Sequence, residues 1–592
     1  MKNIWITNES KKYINFYKKK KIGTDLALRI YTTHLLGKEP KLVLHGGGNT
    51  SCKSSFKDIY GNVIDVIYVK GSGWDMSNLN EKGMPALELN PLLKTLKLKS
   101  LTDEKMVNYL RKNLIDSTSP NPSVETLLHS FLPHKYIDHT HSNAILSLVN
   151  QPNSKNLCKK IFGKKLGIVE YIMPGFDLAK KAKLEFDKDK NVEGLLLLNH
   201  GIFTFGKNAK QSYDRMIKFV SKAEKYIKKR KSLKIKYKKN LLKIEPNKIL
   251  AELRSSLYRL TNKKWILSFY TSREIIDFTL RKDLEKIINS GPVTPDHVIR
   301  IKPFFLILKN NNQKLFLIQK QINKFSSNYS KYFTKYKKEI KGAVMSDSVP
   351  RIIILPGVGF FSVGYDYKNS KVAKDIFLSM IESIKDALKI GKFKSISRKE
   401  IFKMEYWPLE RAKLSNIKTL NLTGNSVVIT GGCGTIGLAT AEEFIKEGAE
   451  VVLIDNKRKN IDNLPIHIRN RCFYMKCDVT NPSQVKEVIK KINLIFGGVD
   501  ILVSNAGRAF EGKIAEVETK LVKESFEINF FSHQYFSQQV VEVFKKQKFG
   551  GVVLFNISKQ SVNPGYNFGP YGLPKSSTLF LMKQYALEYG KY

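Results

Sequence analysis

The stretch SVVITGGCGTIGLATAEEFIKEGAEVVLID, residues 426–455, decides the fold of the C-terminal part of this chain. Ser426 to Ile429 is an apolar, β-branched strand. It runs into a loop that reads Gly432-x-Gly434-x-x-Gly437, and Ile436 to Lys446 follows with the apolar spacing of a helix. Val451 to Asp455 is a second strand that closes on a carboxylate. Glycines in such a loop make the tight turn, admit a pyrophosphate to the helix N-terminus and let helix and sheet pack closely. An acid at the end of the second strand accepts from both hydroxyls of a ribose, and its charge opposes a 2′-phosphate. Strand and helix continue to alternate, which predicts a doubly wound parallel sheet over about 421–592.

Five more elements follow in order: Cys477-Asp478-Val479, Ser504-Asn505-Ala506-Gly507, Asn529, Ser558, and Tyr571 with Lys575. A tyrosine ordinarily titrates near 10. A lysine four residues later lies on the same helix face and favours the ionised form. The series resembles the short-chain dehydrogenase/reductase family. That resemblance implies a Rossmann domain that binds NAD through Gly432, Gly434, Gly437, Asp455, Asp478, Val479, Asn505, Ala506, Gly507, Tyr571 and Lys575. It also implies proton exchange at Tyr571 with help from Lys575, a carbonyl oriented by Ser558, and a relay through Asn529. Thr435 departs from the family's T-G-x-x-x-G-x-G pattern at its middle glycine. The chain stops at Tyr592, 21 residues past Tyr571, so the unit is expected to be incomplete at its C-terminal end.

Residues 20–230 read as a separate α/β unit. Strands are expected at Leu42 to His45, Asp65 to Lys70, Ile137 to Thr140 and Gly194 to Asn199. A helix is expected at Gln211 to Lys229, ending in an exposed basic linker. His139 and His141 stand two apart in a strand, and that spacing sends both side chains to one face. His200 closes a leucine-rich strand and precedes Gly201. Three imidazoles with one coordination position open are the arrangement of a catalytic zinc. Glu125 sits at a helix start, Pro122-Ser123-Val124-Glu125. His129 and His134 read as structural or supporting. The loops HGGGNTS (45–51) and KGSGW (70–74) offer backbone N–H groups and small polar side chains. Gly48, Asn49, Thr50, Ser51, Ser72 and Gly73, with Ser123, form a candidate phosphate cradle.

These motifs resemble the class II aldolase/adducin family over 20–230. The resemblance implies zinc-dependent aldol cleavage of a ketose 1-phosphate, in which the cation polarises substrate oxygens. His139, His141 and His200 match its ligands, and Glu125 matches its proton-relaying carboxylate. Val124 departs from simpler members, which often carry a second phosphate-binding serine there.

The middle, 240–415, is a less legible α/β segment. LLLLNHGIFTFG (195–206) and IIILPGVGFFSVG (352–364) are alike, and each precedes a helix, the second at Lys371 to Lys389. A degenerate repeat is one reading, with Val358 where His200 stands. Two unrelated strand–turn–strand–helix units are the other. The whole order resembles the bifunctional rhamnulose-1-phosphate aldolase/alcohol dehydrogenase family, including GPVTPDHV (291–298), whose residue types assign it no role. The resemblance implies dihydroxyacetone phosphate and lactaldehyde as cleavage products, with the aldehyde passed to an NAD-dependent step. The motifs do not separate rhamnulose from fuculose or a pentulose phosphate. A metal-dependent epimerase or dehydratase ahead of the dehydrogenase is the alternative, and a non-catalytic polyanion binder is a second.

Composition bounds the rest. A chain of 592 residues predicts roughly three to four domains. The net charge of +48 comes with lysine spread along the whole chain, which reads as compositional drift. The basic runs Lys18 to Lys21 and Lys228 to Lys239 belong to it. No helix-turn-helix, zinc-finger or RNP pattern points to nucleic acid. No apolar run nears the roughly 20 residues that span a bilayer, and Met1 to Lys21 lacks the apolar centre of a secretory signal. The five cysteines have neither metal nor disulfide spacing. A cytoplasmic homo-oligomer acting on a small sugar phosphate and an aldehyde is expected, with no nucleic-acid or membrane partner.

Overall fold

The computed structural model describes residues 1–230, 245–309, 316–414 and 419–592. Most of the basic run Lys228 to Lys239, and with it the expected linker, lies outside them. Three sheets organise the described residues. The first contains β1 (Asn49–Lys57), β2 (Val63–Val69), β3 (Ala86–Glu88), β4 (Tyr136–Thr140), β5 (Leu166–Val169), β6 (Gly194–Leu197) and β7 (Gly201–Gly206). Their order is β3-β2-β1-β4-β7-β6-β5, antiparallel except for β5 with β6. Helix α1 (Thr126–Phe131) precedes β4, and α2 (Ala209–Lys228) packs on β7. The strand expected at Leu42 to His45 is absent. His45, Gly46 and Gly48 all have positive φ (45°, 80° and 60°), so the chain turns here, and the ladder begins at Asn49. Leu42 and Val43 are apolar because they enter the core.

The second sheet follows α3 (Pro246–Thr261). Its strands β8 (Ile266–Tyr270), β9 (Leu306–Ile307), β10 (Ile352–Leu355) and β11 (Gly359–Gly364) lie in the order β8-β11-β10-β9, and α4 (Tyr367–Ile390) follows them. This is the order of β4-β7-β6-β5, with the single parallel pair in the same place. The registers agree residue by residue. Phe203 faces Leu195 and His139, and Phe361 faces Ile353 and Phe269. Asn208 caps α2 by accepting from Gln211 N–H, and Asp366 caps α4 by accepting from Asn369 N–H. Ser212 donates to the Thr204 carbonyl at 3.2 Å, and Ser370 to the Ser362 carbonyl at 3.2 Å.

The third sheet is wholly parallel: β12 (Ser426–Thr430), β13 (Glu450–Asp455), β14 (Cys472–Lys476), β15 (Ile501–Ser504) and β16 (Val552–Phe555), in the order β14-β13-β12-β15-β16. Helix α5 (Thr435–Lys446) leaves the glycine loop, and α6 (Gly569–Tyr589) carries Tyr571 and Lys575. The fold class is the α/β arrangement read from the sequence, with a Rossmann sheet at the C-terminal end. No helix among the described residues is long and apolar enough to cross a membrane.

The first two units share an apolar core in which Ile202, Phe219 and Val220 meet Ile354, Phe360 and Phe377. Each such burial stabilises by roughly 1.5–3 kcal/mol. A buried ion pair ties the second unit to the third. Arg254 on α3 donates from Nη2 to Asp500 Oδ2 at 2.6 Å and to the Gly424 carbonyl at 2.9 Å, and from Nη1 to Gln547 Oε1 at 3.1 Å. Neither charged side chain has solvent exposure. Burial opposes the Asp500 charge, but Arg254 and Lys264 outweigh it and hold the carboxyl below its ordinary range. The stabilisation is therefore present above the unfolded value of about 3.9 and is lost as pH falls through the lower folded value. Arg254→Ala leaves a buried carboxylate short of its main partner. It is expected to cost about 3–5 kcal/mol, read as a lower urea midpoint at neutral pH, with the difference from wild type shrinking in acid.

Candidate active sites

His139 is the penultimate residue of β4 and His141 lies just past its end, so the strand's alternation brings their Nε2 atoms to 2.9 Å. His200 arrives in the turn between β6 and β7. Asn199 takes the left-handed conformation there (φ 57°) and is tied through its side-chain nitrogen to Asn150 Oδ1 at 2.8 Å. Gly201 is required beside it: a Cβ would stand 2.5 Å from the Thr140 carbonyl and 3.1 Å from His139 Cε1. One ring nitrogen from each histidine lies within 4.8 Å of the other two, and all three residues are buried. His139 Nδ1–H donates to the Ile202 carbonyl at 3.0 Å, which leaves the Nε2 lone pair on the shared side. Burial holds His139 well below its ordinary pKa and His200 below its own, so both rings are neutral near pH 7. His141 Nδ1 and His200 Nδ1 are buried without hydrogen bonds. Burial opposes the charge of His141, but Asp296 outweighs it and raises that ring's pKa. Three imidazoles with ring nitrogens converging on one region fit a divalent transition metal.

Glu125 caps α1 and faces the cluster, with Oε2 3.6 Å from His139 Nε2 and Oε1 3.6 Å from His200 Nε2. Burial would raise its pKa, but the two imidazoles and a hydrogen bond from Asn49 outweigh this and lower it to about 2. A relay of buried groups fixes the carboxylate. Ser51 Oγ donates to His129 Nδ1 at 2.7 Å, His129 Nε2–H donates to Asn49 Oδ1, and Asn49 Nδ2 donates to Glu125 Oε2 at 2.7 Å. Burial lowers His129 to about 3, so it stays neutral and keeps this direction.

The expected phosphate cradle is redistributed by the same contacts. Gly48, Asn49, Ser72, Gly73 and Ser123 line a pocket against Glu125, His141 and His200 that encloses about 40 Å³. The side chains of Thr50 and Ser51 do not serve it. Alternation along β1 turns Thr50 away, onto Thr33 Oγ1 at 2.7 Å, and Ser51 is bound to His129. Asn49 lines the pocket, but its amide serves Glu125 and Ser123. Sequence reasoning missed Lys70, whose ammonium joins the two glycine loops by donating to the carbonyls of Gly46 (3.1 Å) and Trp74 (2.8 Å). It also missed Asp296, Glu410 and Lys413 of the second unit, which line the pocket too. The quoted KGSGW and GPVTPDHV stretches contain Lys70 and Asp296, but nothing local aims either side chain.

The second site is a cleft of about 520 Å³ at the C-terminal ends of β12, β13 and β15. Its glycines are Gly431, Gly434 and Gly437. The expected Gly432 instead packs on β13, where a Cβ would lie 2.8 Å from Leu453 Cα. The first loop glycine is therefore one residue earlier than the G-x-G-x-x-G reading placed it. Asp455, whose Oδ2 accepts Cys433 N–H at 3.1 Å, lines the cleft with Asp478 and Val479. Asn505, Ala506 and Gly507 form the opposite wall, and Tyr571 and Lys575 close it. The Lys575 ammonium is 5.8 Å from the Tyr571 ring centre, and burial lowers it to about 8. Asn529 lies in a π-helical turn, Glu527–Phe531, and its amide holds the backbone of Arg508 at both N–H (3.1 Å) and carbonyl (2.9 Å). Ser558 caps the short helix Lys559–Ser561 by accepting Gln560 N–H at 3.2 Å, next to cleft residues Asn556 and Ile557.

Comparison with known proteins matches three family descriptions in succession: class II aldolase and adducin N-terminal domain over 28–227, aldolase class II, second domain, over 245–414, and short chain dehydrogenase over 425–592. The uncharacterized oxidoreductase YuxG of Bacillus subtilis is 31% identical over 583 residues, 95% of this chain and 84% of its own length. The 3-dehydrosphinganine reductase of Danio rerio is 30% identical over 184 residues. The chain spans 55% of the length of that reductase. The solved N-terminal class II aldolase domain of a conserved Thermoplasma acidophilum protein is 38% identical, with a TM-score of 0.35, and covers 38% of this chain and 99% of that one. An aldolase-type unit ahead of a Rossmann dehydrogenase unit defines an enzyme of two catalytic classes. The chain belongs to the family in which class II aldolase domains are fused to a short-chain dehydrogenase domain.

The dehydrogenase class uses a nicotinamide dinucleotide. A Cβ on Gly437 would lie 2.5 Å from the Gly431 carbonyl and 2.8 Å from Gly432 Cα. Both are backbone atoms of the loop and cannot step aside. Gly437→Ala is expected to weaken dinucleotide binding about tenfold or more, measured by fluorescence titration with NADH.

Proposed function

We propose that this chain is a bifunctional enzyme that cleaves a 6-deoxyketohexose 1-phosphate of the rhamnulose 1-phosphate type and then oxidises or reduces the aldehyde fragment with NAD. The observation that carries the reading is the convergence of His139, His141 and His200 beside the buried carboxylate of Glu125. The three imidazoles would hold zinc, which when bound polarises the substrate oxygens. Glu125 would take the proton of the C4 hydroxyl as the C3–C4 bond breaks, leaving C4 as the aldehyde carbonyl, and return it to C3 of the phosphate-bearing fragment. Its carboxylate is held ionised, and Asn49 prevents it from turning away. The N–H groups of the loops at Gly48 and Gly73, with Ser72 and Ser123, bind the phosphate. The products are dihydroxyacetone phosphate and lactaldehyde.

In the dehydrogenase cleft, bound NAD would exchange hydride with the carbonyl carbon. Tyr571 exchanges the proton at the carbonyl oxygen, assisted by the Lys575 ammonium, and Ser558 orients that oxygen. Asn529 holds the loop after Gly507 through Arg508. Asp455 favours NAD because a carboxylate there pairs with two ribose hydroxyls and repels a 2′-phosphate. We take the units to be 20–230, 240–415 and 421–592, in a cytoplasmic homo-oligomer.

Three experiments test this reading. Purified protein given rhamnulose 1-phosphate is expected to release lactaldehyde, and stripping divalent ions with a chelator to stop the release until zinc is restored. Cleavage that survives complete metal removal, or a product that is an epimer or a dehydrated sugar, defeats the lyase assignment. Glu125→Gln is expected to lower kcat for cleavage by about 10²–10⁴ with oxidoreductase turnover intact. Tyr571→Phe is expected to do the reverse, and retained oxidoreductase turnover in it removes Tyr571 as the proton donor.

A further inference from the structure

The second unit repeats the strand order of the first but keeps none of its metal-site histidines. Through the matched ladders Phe269 stands where His139 stands. Thr271 follows it at the position of His141, and Val358 precedes Gly359 as His200 precedes Gly201. The second unit nevertheless enters the first unit's pocket at two points. Asp296, in the TPDH segment, has Oδ2 3.4 Å from His141 Nδ1, an ion-pair distance. Thr294 Oγ1 donates to its other oxygen at 2.6 Å. Gly47 lies beside this contact, where a Cβ would be 3.5 Å from Asp296 Oδ2 and 3.6 Å from His141 Nδ1. Lys413 stands over Gly73, where a Cβ would meet its Cγ at 3.9 Å. Its ammonium is 2.5 Å from Glu410 Oε1, and Glu410, 2% exposed, keeps Oε2 buried without a hydrogen bond.

These positions have consequences for the pocket. An imidazole that binds a cation through one nitrogen is oriented, and made more basic, by an acceptor on the other. His139 has the Ile202 carbonyl for that purpose. Among the described residues, Asp296 alone faces His141 Nδ1 at ion-pair distance. At the other end, the Lys70 ammonium is committed to backbone carbonyls. The Lys413 ammonium has three donors, so pairing with Glu410 leaves it able to donate to phosphate oxygens beside the N–H groups of the Gly73 loop.

We propose that the aldolase pocket is composite: the second unit, which lacks ligands of its own, supplies Asp296 to position His141 and Lys413 to receive the phosphate of the substrate. This rests on the lyase reading above. It gives the GPVTPDHV segment a task and explains why a unit without histidines at the three matched positions is packed on one that has them. Asp296 is a positioning residue; Lys413 touches substrate and sets specificity for a phosphorylated sugar over a neutral one.

The test uses the full chain. Asp296→Asn is expected to weaken binding of Zn²⁺ alone about ten- to a hundredfold, measured by competition with a chromophoric chelator, at an unchanged thermal midpoint. Thr294→Val, which removes only the hydroxyl that orients Asp296, is expected to give a smaller loss in the same direction. Lys413→Gln is expected to weaken binding of inorganic phosphate, and to raise KM for the ketose 1-phosphate more than it lowers kcat, by about ten- to a hundredfold, with Lys413→Arg recovering most of the loss. Wild-type protein that binds zinc and phosphate yet cleaves no ketose phosphate defeats the lyase reading, while both binding readouts still decide the composite site. Wild-type zinc affinity in Asp296→Asn, or wild-type phosphate affinity in Lys413→Gln, overturns it.

Discussion

The hydrogen bond from His139 Nδ1–H to the Ile202 carbonyl is the constraint on which the N-terminal site depends. It fixes which nitrogen carries the proton and turns the other toward His141 and His200. Burial reinforces it, because a charged imidazole without water is costly and the neutral form wins. His139 and His200 are held neutral, His141 is paired with Asp296, and one ring nitrogen of each faces a common region. A site of this kind is stabilised by a cation and is otherwise poorly satisfied.

The carboxylate beside it follows the same logic. Glu125 is buried and its Oε1 has no hydrogen bond, a disposition that packing alone does not explain. It is held in place by a chain of neutral groups, Ser51, His129 and Asn49, so its orientation does not depend on a counterion. The strand β1 serves both ends of this relay because Asn49 and Ser51 are two apart and point to one face. Thr50 between them faces the opposite layer and packs on the helix that contains Thr33.

The three units are joined differently. The first and second share an apolar core, in which α4 packs against α2 and the helix Asn143–Val149. The second and third share an apolar cluster, with Tyr367 against Phe473 and Phe496, and add to it the buried polar groups centred on Arg254 and Asp500. An apolar interface tolerates small repacking, whereas a buried ion pair allows little displacement before its charges are left unpaired. The dehydrogenase unit is thus held in a defined orientation to the aldolase units.

How much of this was legible depended on whether the chemistry was local. The glycine loop, the acid after β13, the tyrosine–lysine pair and the His-x-His strand are each set by spacing within one turn, one strand or one strand–helix junction, and the fold class and the gathering of the three histidines could be read from them. Local reading failed where backbone angles, not residue types, decided the outcome: the turn at His45 to Gly48, and Gly431 rather than Gly432 lining the cleft. It also failed at Thr50 and Ser51, where neighbours from other elements claimed the side chains. Asp296, Glu410 and Lys413 were out of reach for a different reason. They come from the second unit, far along the chain from the histidines, and only the packing of one unit on the other brings Asp296 within ion-pair distance of His141 and puts Glu410 and Lys413 on the pocket wall. Sequence alone determined which atoms were available for chemistry; tertiary structure decided which of them share a pocket, because that depends on long-range burial that no short stretch of residues encodes.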